Sequence, residues 1–320
     1  MPGRQSLVVA DMRAAARDVM LVELRAPDGG ALPAFEPGAH LEIALPNGLI
    51  RHYSLSNDSR ECHRYVIGVG RDAKSRGGSD YVHRELRCGA VLSVGGPTNN
   101  FPLDRDARSH LFVAGGIGIT PIMAMVRWCA ANGRDWRLHY AARSRARAAF
   151  DEDLRDLGRD RVVFHFDDEA GRVLDVAPIL EAVPQGARVY CCGPAPLMKA
   201  VTDAAAPLPA GTVRFEYFTA PEDAASPTPG GDKPFTVVLK RSGVTLTVPP
   251  DRSILDVLEA HGRAHPFSCR EGLCRTCETA VLEGEPDHRD YALSDEERES
   301  GKTMTICVSR ARTDRLVLDL

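Results

Sequence analysis

The sequence predicts three domains of different fold class along its 320 residues. Short strands separated by Gly, Pro and Asn turns come first, strands alternating with helices follow, and a cysteine-rich loop lies near the end. These patterns are typical of an antiparallel β-barrel, an open parallel α/β sheet and a compact α+β domain. We expect the domains at residues 1–104, 105–218 and 234–320, with a linker at 219–233.

The barrel is predicted from short apolar runs that alternate with polar residues. Met20–Leu24 and His40–Leu45 alternate toward Gly-containing turns, and Ile50–Leu55 and Tyr65–Val69 follow. Several strands at this spacing with few helices between them favour a small antiparallel barrel. One helix is expected at Ser79–Leu86.

The α/β domain is predicted from strand and helix patterns that alternate. A strand at 110–114 runs into a glycine-rich turn and a helix ending at Ala131, with Thr120 as its expected N-cap and Pro121 as its first residue. Further strands are predicted at 136–140, 161–165, 188–192 and 213–217, and further helices at 147–157, at 176–181 and after 194. Right-handed βαβ units would form a mostly parallel sheet.

The linker and the last domain also have local signals. Residues 219–233 hold three prolines, two glycines and few apolar residues, so they have little to bury. A hairpin is predicted from strands at 235–239 and 244–248. Ser253 begins a capping-box-like pattern for a helix that ends at 261–262, and a late strand is expected to carry Cys307.

Composition excludes several functional classes. A net charge of −4, from 44 acidic and 40 basic residues, gives no electrostatic basis for binding nucleic acid. The chain has no apolar run long enough for a membrane span and no signal-like N-terminus. Nine cysteines without such a signal indicate a reducing compartment. We therefore expect a cytoplasmic protein, and we expect it to be monomeric.

The cysteines near the C-terminus predict an iron–sulfur site. Cys269, Cys274 and Cys277 are spaced C-x4-C-x2-C, and Cys307 follows at a distance. This spacing is that of the plant-type [2Fe–2S] loop, whose fourth thiolate comes from elsewhere in the fold. A four-cysteine zinc site is the main alternative, although zinc sites usually use two C-x2-C pairs and only one is present. Disulfides are the other alternative.

Two runs in the barrel region could bind a flavin. In the first, Arg51, Tyr53 and Ser54 could supply a cation for the phosphate, an aromatic wall and a small donor, since alternate strand residues share a face. The second run comes just before the predicted helix, where exposed amides, a hydroxyl and a guanidinium would bind an anion; it consists of Arg76, Gly77, Gly78 and Ser79. Either run could instead be an ordinary strand or glycine turn.

Two turns in the α/β domain could bind a dinucleotide. Gly115 and Gly116 join a strand to a helix, where glycine permits close approach of a pyrophosphate and the helix dipole favours its charge. Cys192 and Gly193 end a later strand, at the edge where ligands bind on such sheets. The first turn lacks the G-x-G-x-x-G pattern, so both could also be tight turns that bind nothing.

The motifs in their order resemble one known family. R-x-Y-S, R-G-G-S, G-G-I-G-I-T-P, C-G-P, F-E-x-F and C-x4-C-x2-C with a distant cysteine look like the phthalate dioxygenase reductases, a group that includes vanillate demethylase reductases. The resemblance spans almost the whole chain. It implies an FMN-binding β-barrel domain, an NAD-binding domain and a plant-type ferredoxin domain of β-grasp fold.

The resemblance also implies roles for individual residues. Ser54, Cys192 and Phe218 would lie near the site of hydride transfer, and Phe218 would cover the flavin face. No side chain is expected to act as a catalytic acid or base, because the cofactors carry the chemistry. The cofactor-binding set comprises Arg51, His52, Tyr53, Ser54, Arg76, Gly77, Gly78, Ser79, Gly115, Gly116, Thr120, Pro121, Cys192, Gly193 and Phe218, and the cluster ligands are the four cysteines.

The nicotinamide cofactor is left open by one segment. After the second strand of the α/β domain, Arg143, Ser144 and Arg145 offer no acid for a ribose 2′-hydroxyl and could receive a 2′-phosphate instead. They could equally be a solvated surface. The resemblance favours NADH, and this segment keeps NADPH as an alternative.

The implied function is electron transfer. A hydride carries two electrons and the cluster accepts one, so FMN would connect them. The resemblance implies the reductase component of a Rieske-type oxygenase system that hydroxylates or demethylates aromatic compounds, with the oxygenase docking near the cysteine loop. A reductase for a cytochrome P450 and a non-catalytic zinc protein are the alternatives. Eight acids at 283–299 predict either a solvated helix begun by Ser294 or a surface for a basic partner.

Overall fold

The computed structural model describes residues 3–71, 75–220 and 232–320. The chain divides into two compact units, Met1–Glu216 and Tyr217–Leu320. Residues 221–231 of the predicted linker lie outside the described residues, and the exact domain boundaries remain a prediction.

The first part of the first unit is an antiparallel barrel. Its elements are β1 (Gln5–Ala16), β2 (Val19–Arg25), β3 (Ala39–Ala44), β4 (Ile50–Ser54), β5 (Tyr65–Gly70), α1 (Gly78–Arg84) and β6 (Val91–Asn99). The strands follow the order β4-β3-β6-β1-β2-β5. An isolated antiparallel bridge from Leu55 to Ile67 joins the two outer strands, so the sheet closes on itself around a core that includes the wholly buried Leu24 and Leu41. The predicted barrel is confirmed.

A parallel sheet with helices forms the rest of this unit. Its elements are β7 (Ser109–Gly115), α2 (Ile119–Ala131), β8 (Asp135–Ala142), α3 (Asp151–Gly158), β9 (Val162–Phe166), α4 (Asp167–Ala170), α5 (Ala177–Glu181), β10 (Arg188–Cys192), α6 (Ala195–Ala205) and β11 (Val213–Glu216). The order is β11-β10-β7-β8-β9, with every pair parallel. The chain adds β8 and β9 on one side of β7 and then β10 and β11 on the other side. The strand order therefore reverses between β7 and β10, and ligands bind at the carboxyl ends of strands at such a reversal.

Two helix starts in this sheet differ from prediction. The N-cap is Gly118 and not Thr120, because a 3₁₀ turn at Gly116–Gly118 leads directly into α2 and the amide of Ile119 already bonds to carbonyls of that turn. Thr120 Oγ1 donates instead to the Ile117 carbonyl, at 2.9 Å. The helix predicted at 147–157 begins only at Asp151, since residues 145–147 form a separate 3₁₀ turn.

The second unit is a small mixed sheet with one packed helix. Its elements are β12 (Phe235–Leu239), β13 (Val244–Val248), α7 (Ile254–Ala260), β14 (Glu278–Glu283), β15 (Pro286–Asp287), α8 (Asp295–Ser300), β16 (Thr303–Thr305), β17 (Arg310–Ala311) and β18 (Arg315–Leu318). The order β13-β12-β18-β14-β16, with β12 and β18 parallel, is that of a β-grasp domain.

Local predictions in the second unit are mostly confirmed. The hairpin has the predicted bounds, and Ser253 and Ser294 both form capping boxes, with Asp256 and Glu297 respectively. Cys307, expected on a strand, lies in the turn after β16. The turn bends the chain back toward the cysteine loop, which a continuing strand would not do.

Among the described residues, no helix is both long enough and apolar enough to cross a lipid bilayer.

Candidate functional site

The four predicted cluster cysteines lie together in the second unit. The side chain of Cys269 contacts those of Cys274 and Cys307, and that of Cys277 contacts Cys307. All are buried except Cys269, which is partly exposed. The turn after β16 therefore brings the fourth thiol to the loop that holds the other three.

Backbone amides of the loop point at the Cys269 sulfur. The amides of Glu271 and Leu273 donate to Cys269 Sγ at 3.3 and 3.4 Å. Together with the thiols of Cys274 and Cys307, which contribute most, these donors hold the pKa of Cys269 far below its ordinary value. The same contacts raise the pKa of Cys274 and of Cys307, so the loop favours the thiolate, the form that binds iron, at Cys269 and not at all four sulfurs.

Two arginines fix the loop to the helices beside it, although their backbones are left-handed, with φ of +57° at Arg270 and +60° at Arg275. Arg270 Nη1 donates to Asp256 on α7 at 3.0 Å. Arg275 lies between two of the cysteines, and its guanidinium bonds both Glu278, at 2.8 Å, and Glu297 of α8, at 2.6 Å. These bonds link the loop to its neighbours on both sides.

The donor set fits a two-iron cluster. Within the described ranges, no three His, Cys, Asp or Glu side chains are grouped to hold a single metal ion. A [2Fe–2S] cluster instead divides four thiolates between two irons and takes hydrogen bonds at its sulfurs. Four adjacent thiols with inward-facing amides meet that requirement.

In the first unit, the two predicted flavin-phosphate runs lie side by side. Arg51 Nη2 donates to the Arg76 carbonyl at 2.8 Å. A Cβ at Gly78 would stand 2.6 Å from Arg51 Nε, so only glycine lets the guanidinium lie against the start of α1. Gly77 has a φ of +88°, and Ser79 Oγ bonds Ser75 Oγ at 2.9 Å. The cation and the helix start thus form one site that fits a phosphate.

The rest of β4 presents the other flavin candidates. Tyr53 is half-buried, and burial raises the pKa of its hydroxyl to about 12, so the ring is neutral. Ser54 is buried at the end of the strand. His52 packs edge-on against His40, with ring centroids 5.2 Å apart, and lies 3.8 Å from Glu42. The aromatic and hydroxyl groups fit a flavin ring, whereas His52 contacts two residues of β3 in the barrel wall.

The glycine-rich turn and the C-G-P turn meet at the reversal between β7 and β10. A Cβ at Gly118 would stand 2.2 Å from the Cys192 carbonyl oxygen, and one at Gly115 would stand 2.6 Å from Pro194. These glycines therefore permit close packing of two backbones. Gly116 differs, since its φ is +53° and a Cβ there would meet no atom within 4 Å. Open space for a dinucleotide lies at Gly116.

Other predicted residues of this turn are buried. Thr120 and Pro121 are inaccessible in the first turn of α2, and a Cβ at Gly68 of β5 would stand 2.6 Å from the Thr120 methyl. The Thr120 side chain therefore packs against β5 of the barrel. Cys192 is wholly buried, and burial holds the pKa of its thiol well above the ordinary value, so it is a neutral thiol.

Glu216 is a site residue that the sequence interpretation missed. Its carboxyl accepts a hydrogen bond from Ser54 Oγ, with Oγ and Oε2 3.3 Å apart. It pairs with Cys192 in the register of β10 and β11, and burial raises its pKa to about 8. Glu216 thus lies next to both Ser54 and Cys192, two of the residues predicted near the site of hydride transfer. The F-E-x-F motif contains Glu216, and the resemblance gives a role only to its Phe218.

Comparisons with known proteins agree with this geometry. Residues 237–312 match the model of the 2Fe-2S iron-sulfur cluster binding domain, and residues 112–203 match that of the oxidoreductase NAD-binding domain. The chain is 50% identical to the phenoxybenzoate dioxygenase subunit beta of Ectopseudomonas oleovorans, over 95% of this chain and 94% of that protein. It is 42% identical to the vanillate O-demethylase oxidoreductase of a Pseudomonas species, over 98% and 99%.

Two solved structures are also similar. Phthalate dioxygenase reductase, described as a modular structure for electron transfer from pyridine nucleotides to [2Fe–2S], is 44% identical over 99% of this chain and 98% of its own, with a TM-score of 0.72. The chain belongs to the phthalate dioxygenase reductase family. An intact type IV self-sufficient cytochrome P450 monooxygenase is 39% identical over 99% of this chain, with a TM-score of 0.94, and this chain spans 41% of that one.

Membership of the phthalate dioxygenase reductase family decides several open alternatives. The chain is an NAD(P)H-dependent flavin and iron–sulfur oxidoreductase, with FMN, a [2Fe–2S] cluster and NADH as its cofactors. The zinc and disulfide interpretations of the cysteine loop are thereby replaced by the cluster.

Three predicted residues remain, namely Arg143, Ser144 and Phe218. Arg143 is exposed and Ser144 partly buried, after the carboxyl end of β8. Phe218 is 41% exposed and is assigned to the second unit. Its role over the flavin of this family remains a prediction.

Proposed function

We propose that this chain is the reductase component of an oxygenase system that hydroxylates or demethylates aromatic compounds. It would take electrons from NADH and deliver them one at a time to a Rieske-type terminal oxygenase. The observation that carries the proposal is the full-length similarity to the dioxygenase and demethylase subunits named above. Flavin connects the two-electron and one-electron steps when it is bound.

The residues of the first unit would bind and orient the cofactors. We assign Arg51 and the 76–79 loop to the FMN phosphate, and Tyr53 to a wall of the ring. Ser54, Cys192 and Glu216 would position the nicotinamide and exclude water from it. Because burial raises the pKa of Glu216, the folded chain favours its neutral form, and less negative charge lies where the hydride leaves.

We place the docking surface for the oxygenase beside the cysteine loop. Phe267 in that loop is 38% exposed, and Arg270 lies over its ring at 4.1 Å. Asp295, Glu296 and Glu299 of α8 form no ion pair with any other described residue, and α8 is linked to the loop through Glu297. An apolar group ringed by charges suits a transient partner with a basic patch. Turnover with the oxygenase that is insensitive to salt would argue against this surface.

A cytochrome P450 is the second candidate partner. The similarity to a self-sufficient P450 monooxygenase over 99% of this chain supports it, because that chain carries the same arrangement in 41% of its length. Reconstitution of the purified chain with a Rieske-type oxygenase and, separately, with a P450 distinguishes the two.

A purified sample tests the function directly. We expect a yellow-brown protein whose flavin and cluster absorbances are both bleached by NADH, and which then reduces cytochrome c. A colourless protein, or one in which NADH bleaches neither chromophore, would contradict the proposal. We further propose that the protein is cytoplasmic, because none of its nine cysteines, all of which the structure describes, forms a disulfide. We also propose that it is a monomer, which sedimentation tests.

A further inference from the structure

The carboxyl ends of β8 and β9 form one ligand-facing edge. Ala142 and Phe166, the last residues of the two strands, are register partners. The segment after β8 and the acidic helix α4 after β9 therefore begin side by side, and the amide of Asp168 donates to the Arg143 carbonyl at 3.2 Å. Since β8 lies next to β7, a dinucleotide bound at Gly116 can extend its adenosine half along this edge.

An ion pair occupies this edge. Arg145 donates from Nε and Nη2 to the two carboxylate oxygens of Glu169, each at 3.3 Å. The same guanidinium lies over the Phe166 ring, 4.5 Å from its centroid. All three side chains line an open pocket of about 430 Å³. The pair thus faces space that a ligand can enter.

Both arginines that line this pocket are matched by a carboxylate. Besides the Arg145–Glu169 pair, Arg155 bonds Asp151 at 2.7 Å, and the His165 ring bonds the Arg172 carbonyl, with Nε2 2.8 Å from the oxygen. A 2′-phosphate would therefore meet no unmatched arginine in the pocket and would face the carboxylates of α4. A ribose 2′-hydroxyl would instead meet carboxylate oxygens that can accept its hydrogen bond.

From this geometry we propose that Glu169 sets the preference for NADH over NADPH by holding Arg145 away from a 2′-phosphate. The proposal rests on the proposed function, and it makes Arg145, which the sequence left open as a 2′-phosphate ligand, unavailable for that role. Glu169 acts as a specificity-determining residue that does not touch the nicotinamide.

The test compares Glu169→Gln with the wild-type holoenzyme. In wild type the charge of Arg145 is matched by Glu169, whereas in Glu169→Gln the guanidinium is unmatched. A single positive charge and a doubly charged phosphate about 6 Å apart in water attract each other enough to change affinity about tenfold. We therefore expect kcat/KM for NADPH to rise about tenfold and that for NADH to change less than about twofold. Glu181→Gln is the matched control. Glu181 is an exposed residue at the end of α5, and the chain that follows it enters β10 at the amino end of the strand, at the edge opposite the pocket.

Binding without turnover provides a second readout. Calorimetric titration with adenosine 2′-monophosphate should show tighter binding to Glu169→Gln than to wild type, with adenosine unchanged. The double variant Arg145→Ala/Glu169→Gln should lose this gain, because the gain requires the released guanidinium. An unchanged NADPH-to-NADH ratio, or a gain that persists without Arg145, would overturn the proposal. A wild-type chain that NADH does not reduce would instead overturn the proposed function.

Discussion

Replacing Glu216 with Gln should change how the stability of the first unit depends on pH. The carboxyl has an ordinary pKa of 4.5, and burial raises it to about 8 in the folded chain, with a smaller opposing effect from the Ser54 hydrogen bond. Because the folded-state pKa is the higher one, the folded state binds the proton more tightly than the unfolded state does. The stabilisation is complete below the ordinary pKa and is lost as pH rises through about 8.

The size of the stability change follows from the difference between the ordinary and the folded-state pKa of Glu216. Linkage would convert the full difference between 4.5 and about 8 into about 5 kcal/mol of unfolding free energy. Glu216 is only partly buried by surface area, so water can stabilise its charge. We therefore expect about 1 to 2 kcal/mol. Gln does not titrate, so wild type should lose this amount relative to the variant between acidic and alkaline pH.

The assay is urea unfolding followed by tryptophan fluorescence. Trp128 and Trp136 are the only tryptophans of the chain, and both belong to the first unit, so their emission reports that unit alone. Wild type, Glu216→Gln and the exposed control Glu85→Gln are compared at about pH 5 and about pH 9. Parallel pH profiles for wild type and Glu216→Gln would refute the reasoning, and so would a Glu85→Gln profile that departs from wild type in the same way.

Three further predictions concern the packed turn and the cluster loop. Gly118→Ala should destabilise the first unit by about 1 to 3 kcal/mol, because its Cβ would stand 2.2 Å from the Cys192 carbonyl; the same urea assay should show no such loss for Gly95→Ala, whose nearest atom would be 3.6 Å away. Arg275→Ala should lose its cluster absorbance faster under a chelator than wild type, and equal rates would contradict its anchoring role. Cys307→Ser should lack a normal cluster spectrum while NADH still bleaches the flavin, and an intact cluster spectrum would remove Cys307 from the ligand set.

Local sequence signals accounted for much of the fold. Three predictions depended on residues close together in the chain and were confirmed. They are the cluster loop, the hairpin at 235–248 and the Ser253 capping box. The Thr120 cap was wrong for a local reason too. A 3₁₀ turn before α2 already satisfies the amides that a cap would bond, and glycine-rich sequence does not distinguish that turn from an open one.

Contacts between distant segments were beyond sequence reasoning. Ser54 and Glu216 are 162 positions apart, and only the packing of the barrel against the parallel sheet brings them together. Arg145 and Glu169 belong to different strand ends, and their pairing depends on β8 and β9 being neighbours. For this reason the arginines after β8 could be interpreted as a phosphate site, and the acid that matches the charge of Arg145 lies only after the following strand.

The cluster loop shows why a left-handed backbone can hold arginine. Such a conformation costs a non-glycine residue about 1 to 3 kcal/mol, and glycine at position 275 would remove that cost. Glycine would also remove the bonds from Arg275 to Glu278 and Glu297, which link the segment between two cluster cysteines to α8. The amides around Cys269 must point at its sulfur for the cluster to bind, and this requires a rigid loop. The stabilisation from anchoring the loop through Arg275 therefore outweighs the cost of its left-handed backbone. The other acids of α8, namely Asp295, Glu296 and Glu299, are exposed and form no ion pair within the described part of the chain, and they belong to the surface where we place the oxygenase.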